Sequence, residues 1–313
     1  MPPQAAAPRF LLSKWYLDCV SERGDVFIGY AAELHWRGFL VRHSSILRHQ
    51  RDRNLTRNAS ARTYSPPDVA EGSIGWSSSE LNVTGVWRSL SRPVERTIFE
   101  SENGSVEWRC LQPSALAEVH IGADFAIRGL GYVECLTLSI PAWRLPIDEL
   151  RWGRFLSESD ALVWIDWRGP KPLTLVFYNG AQTACEKLTD DSVVLSGGDT
   201  ALTLADGRVL RAGPLAETAL AGMSRILKLL PFRILRTYEQ KWCSRGTLTA
   251  PGQPARSGWA IHELVSWRNA SEGVKESVQL RGRQATLPAP HGSQTTWRVG
   301  QAVSPASRFI HTF

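Results

Sequence analysis

The chain has 313 residues, 43% hydrophobic and 21% charged, which is enough to bury a sizeable core as two ordinary domains or one large one. Its net charge of +6 reflects 36 basic residues, mostly Arg, against 30 acidic ones, and no nucleic-acid-binding motif accompanies it, so nucleic acid is not an expected partner. Five widely spaced cysteines without CxxC spacing point to neither a disulfide framework nor a zinc site, and are read as reduced, mostly buried thiols.

In chain order, the opening MPPQAAAPRFLLSKWYLDC lacks the apolar core of a signal peptide. No later run approaches the roughly 18 apolar residues of a membrane helix. The expectation is a soluble, cytoplasmic protein, with peripheral membrane association left open. DVFIGYAAELHW is the first clear alternating run, and its alternation turns Glu33 to solvent, away from Tyr30 and Leu34. The Arg-rich tract Arg42–Arg62 reads as a solvated loop, with contact to nucleic acid or an anionic membrane surface as the alternative. Residues 50–72 read as one long mobile loop. Further short runs follow at GSVEWRCLQ, GYVECLTLSI, ALVWIDWRG, PLTLVFYNG, DSVVLSGGDTALTLADG and SGWAIHELVSW, separated by Gly, Pro, Asn and Asp. That punctuation predicts an all-β chain. One stretch differs: PLAETALAGMSRILKLL (residues 214–230) has helical spacing, with Pro214 at its first position and Pro231 ending it. A single main helix near a domain seam is expected there.

Similar segments recur at 29–34 (GYAAEL), 131–136 (GYVECL) and 258–264 (GWAIHEL), and two prolines interrupt pairing within Pro141–Pro146. The expected organisation is therefore two β domains, 1–145 and 146–313.

Three acids fall on apolar faces of these runs. Glu134 shares its face with Leu130, Tyr132, Leu136, Leu138 and Ile140. Asp166 lies with Leu162 and Trp164, and Glu263 with Trp259, Ile261, Val265 and Trp267, while His262 points the other way. An ionised carboxylate in such surroundings must pair, accept hydrogen bonds or take up a proton. Pairing with Arg144, Arg151 or Arg154 is one outcome; a proton donor held in an apolar pocket is the other. Glu134 is the leading candidate acid, Asp166 a candidate for positioning water, and Glu263 the reserve. Tyr132, Trp152, Trp164, Trp259 and His262 are the candidate substrate contacts. No phosphate loop, metal-ligand cluster or GxSxG elbow is present, so neither cofactor nor metal is expected.

GLGYVE, followed by Trp152-Gly153 and ALVWIDW, resembles the central signature of the hydroxyneurosporene synthase (carotenoid hydratase) family, which is related to tocopherol cyclase-like and lipocalin-like proteins. Glu134 stands where that family is expected to carry Asp. The resemblance implies two lipocalin-like β-barrel or sandwich domains with an apolar pocket near their junction. It also implies an acid that protonates an isoprenoid double bond, aromatic faces that steady the cation, and water that captures it. The partner is then a hydrophobic small molecule, isoprenoid or polyketide-like, undergoing hydration, cyclisation or isomerisation. A non-catalytic carrier with the same pocket is the alternative, and a Trp-rich assembly protein a third reading. The sequence does not give the oligomeric state.

Overall fold

The computed structural model describes residues 10–123, 125–218 and 230–267. Almost all of them lie in two antiparallel sheets, as the alternation predicts. The first sheet is built from β1 (Phe10–Val20), β2 (Val26–Trp36), β3 (Phe39–Gln50), β4 (Leu55–Ala61), β5 (Asp68–Ala70), β6 (Ser73–Ser78), β7 (Val83–Ser89), β8 (Val94–Ser101), β9 (Gly104–Ile121) and β10 (Phe125–Leu138). A 3₁₀ turn at Ala142–Arg144 follows. The second sheet comprises β11 (Glu149–Leu156), β12 (Ala161–Arg168), β13 (Leu173–Tyr178), β14 (Ala181–Thr183), β15 (Cys185–Leu188), β16 (Ser192–Leu195), β17 (Ala201–Pro214), β18 (Tyr238–Ala250) and β19 (Gln253–Ser266).

Each sheet curls around an apolar core of its own. In the first, the order β4-β3-β2-β1-β10-β9-β7-β6-β5 sets β2 and β6 far apart. Their side chains nevertheless meet: the rings of Phe27 and Trp76 are 6.4 Å apart, and a Cβ at Gly29 would come within 2.6 Å of the Trp76 indole. The sheet therefore bends round on itself in barrel fashion. In the second, Val176 of β13 and Val193 of β16 approach from opposite flanks and share a core with Phe155, Leu162 and Trp164. A third cluster joins the sheets, with Tyr16, Ile28, Leu47, Trp108 and Tyr132 from the first and Trp152, Ile165, Phe177 and Ile261 from the second.

Three expectations are corrected. Residues 50–72 are not a loop, because β3 turns at Arg51–Asn54 and pairs back along β4, with β5 beyond. β4 is a mostly exposed edge strand, so it carries no apolar alternation to announce it. The Arg tract is likewise strand, and two of its guanidinium groups stack on rings, Arg48 on Phe125 and Arg51 on Trp259. The expected helix at 214–230 begins as strand and turn, since β17 runs through Pro214. Residues 219–229 of that expectation lie outside the described residues. Pro231 precedes the short α1 (Phe232–Leu235). All five cysteines are free thiols. No helix among the described residues is long and apolar enough to cross a membrane.

Candidate functional site

The seam between the sheets is assembled from central strands. β1 pairs with β2 and β10, and β11 pairs with β12 and β19. Alternation sends Trp15, Leu17 and Cys19 of β1 into the first core and leaves Tyr16, Asp18 and Val20 for the seam. On β11 it sends Phe155 inward and Trp152 and Arg154 to the seam. Both strands are thus buried on two sides, and polar groups on the seam must find partners there.

Glu134 is at the centre of one such group. Its Oε2 accepts three hydrogen bonds from neutral donors: Trp108 Nε1 at 2.6 Å, Tyr132 OH at 2.7 Å and Trp152 Nε1 at 3.2 Å. Trp152 comes from the second sheet, so the carboxyl bridges the seam. Among the described residues nothing donates to Oε1, and no cation lies within ion-pair reach. Burial raises the Glu134 carboxyl above the ordinary range, outweighing the Trp108 and Tyr132 hydrogen bonds that favour the anion. The Tyr132 hydroxyl is also pushed well up by burial and stays a donor. The half-buried aliphatic side chains of Ile98, Leu136, Leu150 and Leu173 belong both to the seam cluster and to a neighbouring apolar cluster around Trp36 and Trp167. Glu134 itself is half-buried.

Three charge pairs complete the seam. Asp18 and Arg154 form a two-pronged pair at 3.0 and 2.7 Å, with neither residue exposed to solvent. Tyr16 OH donates to the same carboxylate at 3.0 Å, and Arg154 also reaches the Trp259 carbonyl at 2.8 Å. Burial raises the Asp18 carboxyl, although Arg154 opposes the shift. Lys241 pairs with Glu263, and its ammonium lies 5.3 Å from the Tyr16 ring centroid and 5.2 Å from that of Trp152. Burial alone would raise Glu263 and lower Lys241, but the pair reverses both, leaving the carboxyl low and the ammonium high. Arg211 pairs with Glu239 and donates to Tyr30 OH at 3.3 Å.

The structure brings together Glu134, Tyr132, Trp152 and, through Lys241, Glu263. It separates others. Trp164 and Asp166 face the interior of the second sheet, and Asp166 is held there by Arg168 and Thr174, each at 2.7 Å. The side chain that donates to Glu134 from the other sheet is Trp152 rather than one on β12. His262 also turns to that interior, stacked on Trp242 and bonded to Ser244 at 2.8 Å. Trp259 sits beside the β1–β2 turn, with its Nε1 donating to the Glu22 carbonyl at 3.2 Å. None of the three predicted acids pairs with Arg144, Arg151 or Arg154: Arg154 takes Asp18, and Arg151 takes Glu149 and Asp190. The sequence reading missed Trp108, Asp18 and Lys241. Asp18 carried the same signal as Glu134, an acid alternating with Tyr16 and Val20.

Beyond Tyr30 the seam opens into a cleft of about 450 Å³, lined by Tyr30, His43, Ser45, Asn58, Leu210 and Arg211 among others, and Glu134 is not part of it. Among the described residues no three His, Cys, Asp or Glu side chains converge to hold a metal.

No family model matches the chain, and no curated protein matches it. Solved structures do. CghA, crystallised with Sch210972, aligns over 83% of this chain and 89% of its own at 12% identity, with a TM-score of 0.49. Kievitone hydratase from Nectria haematococca aligns over 82% and 89% at 11% identity and 0.49. An AttH-type protein from Nitrosomonas europaea aligns over 84% and 97% at 12% identity and 0.46.

Proposed function

We propose that the chain is an acid catalyst for a hydrophobic, isoprenoid- or polyketide-like substrate, with Glu134 as the proton donor. One observation carries this reading: a half-buried carboxyl with a raised pKa, held on one oxygen by three neutral donors and, among the described residues, unopposed by any cation within ion-pair reach. Those bonds orient the group and leave Oε1 as the atom that carries the proton. Transfer to an alkene carbon makes a C–H bond and a tertiary cation. Water adds to that cation and returns a proton to Glu134, or a neighbouring C–H gives one up. The outcome is hydration, cyclisation or isomerisation, without redox change. Aromatic faces suit such a cation, and Tyr16 and Trp152 already lie against an ammonium. Ile98, Leu136, Leu150 and Leu173 provide apolar surface beside the acid.

A carrier is the second reading, favoured by a cleft that excludes Glu134. The test is deuterium incorporation into an acyclic polyisoprenoid such as squalene, incubated with the protein in D₂O and read by mass spectrometry. The wild type should label it, and Glu134→Gln, still able to accept the three hydrogen bonds, should lower the rate by about 100-fold or more while remaining folded. Because the donor must be protonated, turnover should be full at low pH and fall as pH rises through the raised folded-state pKa. An unchanged rate in Glu134→Gln rules the proposal out. Ligand retention without labelling by the wild type establishes the carrier.

A further inference from the structure

The strand register gathers several unusual features at one end of the molecule. Phe10 stands opposite Trp36, Leu12 opposite Leu138, and Tyr238 opposite Ser266, so the β2–β3 turn, the 3₁₀ turn and α1 all lie there. Contacts tie them together: the Trp36 and Trp143 rings are 5.2 Å apart, and Arg233 of α1 donates to the carbonyls of Trp143, Leu145 and Ile147.

This end carries three of the largest exposed apolar side chains in the protein. Phe39 and Leu40, just past the β2–β3 turn, are 60% and 49% exposed, and Phe232 on α1 is 62% exposed. Single exposed apolar residues need no explanation, but these lie at one end of the molecule, with Phe39 and Leu40 on opposite faces at the start of β3, and the same end carries exposed Arg37, Arg144 and Arg236. Arg37 lies over the Trp36 ring at 5.2 Å and Arg236 over Phe232 at 4.0 Å. The hairpin's acid, Glu33, is already held by Arg42 and His35. Exposed Glu100, in β8, and Glu102, in the β8–β9 turn, lie at this end as well, since Val106 stands opposite Leu138, and they would sit at the edge of a face that meets an anionic surface.

Projecting rings bordered by guanidinium groups match the layering of a bilayer interface, where apolar tips enter the acyl boundary and cations remain with the phosphates. A protein partner would more often require a concave pocket to receive such anchors. We propose that this end docks on an anionic lipid bilayer, with Phe39, Leu40 and Phe232 inserted and Arg37, Arg144 and Arg236 at the headgroups. The proposal is independent of the acid-catalyst reading.

The full chain is sedimented with vesicles of phosphatidylcholine alone, and of phosphatidylcholine with roughly one quarter phosphatidylserine. It should bind the anionic vesicles preferentially and be released by salt. Phe39→Ser/Leu40→Ser, and separately Arg37→Glu/Arg144→Glu, should weaken binding by about tenfold or more. All four side chains are exposed, and circular dichroism checks that the variants keep their fold. Failure to sediment with either vesicle overturns the proposal, as does binding that both variants retain. A concentration-dependent dimer of the free protein that Phe39→Ser/Leu40→Ser abolishes also overturns it, by assigning the face to a second copy of the chain.

Discussion

Asp18 and Arg154 lie 136 positions apart and are both without solvent exposure, so each charge depends on the other across the two sheets. Such a pair adds little over an apolar replacement, but losing one partner leaves a buried charge uncompensated. Arg154→Met should therefore cost about 3–5 kcal/mol in urea unfolding, whereas Asp18→Leu/Arg154→Met should recover most of that loss. A double variant as unstable as the single one would show that packing, not charge, dominates the site. At this scale the sequence was partly legible. Alternation placed Glu134 beside Tyr132, where its carboxyl accepts the tyrosine hydroxyl, and would have flagged Asp18 by the same test. Asp166 meets Arg168 two residues along its own strand and Glu263 meets Lys241 opposite it on β18, but the cation that Asp18 meets depends on how the two sheets stack, and local spacing carries no trace of that.

The same limit appears in the strands. β12 is buried from Ala161 to Trp167, so its alternation shows that Trp164 and Asp166 share a face but not which face meets the seam. β19 was read with its faces correctly divided, Ile261 and Glu263 on one side and Ala260 and His262 on the other, because strand alternation alone separates them. The Trp152-Gly153 pair now has a packing rationale. Trp152 reaches across the seam to Glu134, while a methyl group at Gly153 would run into the Trp164 indole and the His262 Cβ. Gly153→Ala should cost about 1–3 kcal/mol by overpacking. It should also disturb the near-ultraviolet circular dichroism, which reports the asymmetric packing of Trp164. A variant as stable as the wild type, with an unaltered spectrum, would show that the indole moves aside freely.

For the whole molecule, the all-β class followed directly from turn punctuation and alternation, while the shared apolar layer between the sheets did not. Tyr16, Ile28, Trp108 and Tyr132 on one side pack with Trp152, Ile165, Phe177 and Ile261 on the other. A chain ending at Leu145 would expose the first set and strand Asp18 without its guanidinium. It should lack a sharp thermal transition and bind a hydrophobic dye strongly, as loosely packed states do. A cooperative melt close to that of the full chain would instead show the first sheet to be an autonomous domain.

The indole bonds to Glu134 have an optical consequence. Two tryptophans, Trp108 and Trp152, donate their ring N–H to a single carboxyl oxygen. The charge on that oxygen sits at the edge of both chromophores, so uptake or loss of one proton changes the field that sets their emission. The protonation state of the candidate acid is thereby coupled to the fluorescence of its own neighbours, and the protein carries an intrinsic reporter of the group its chemistry depends on.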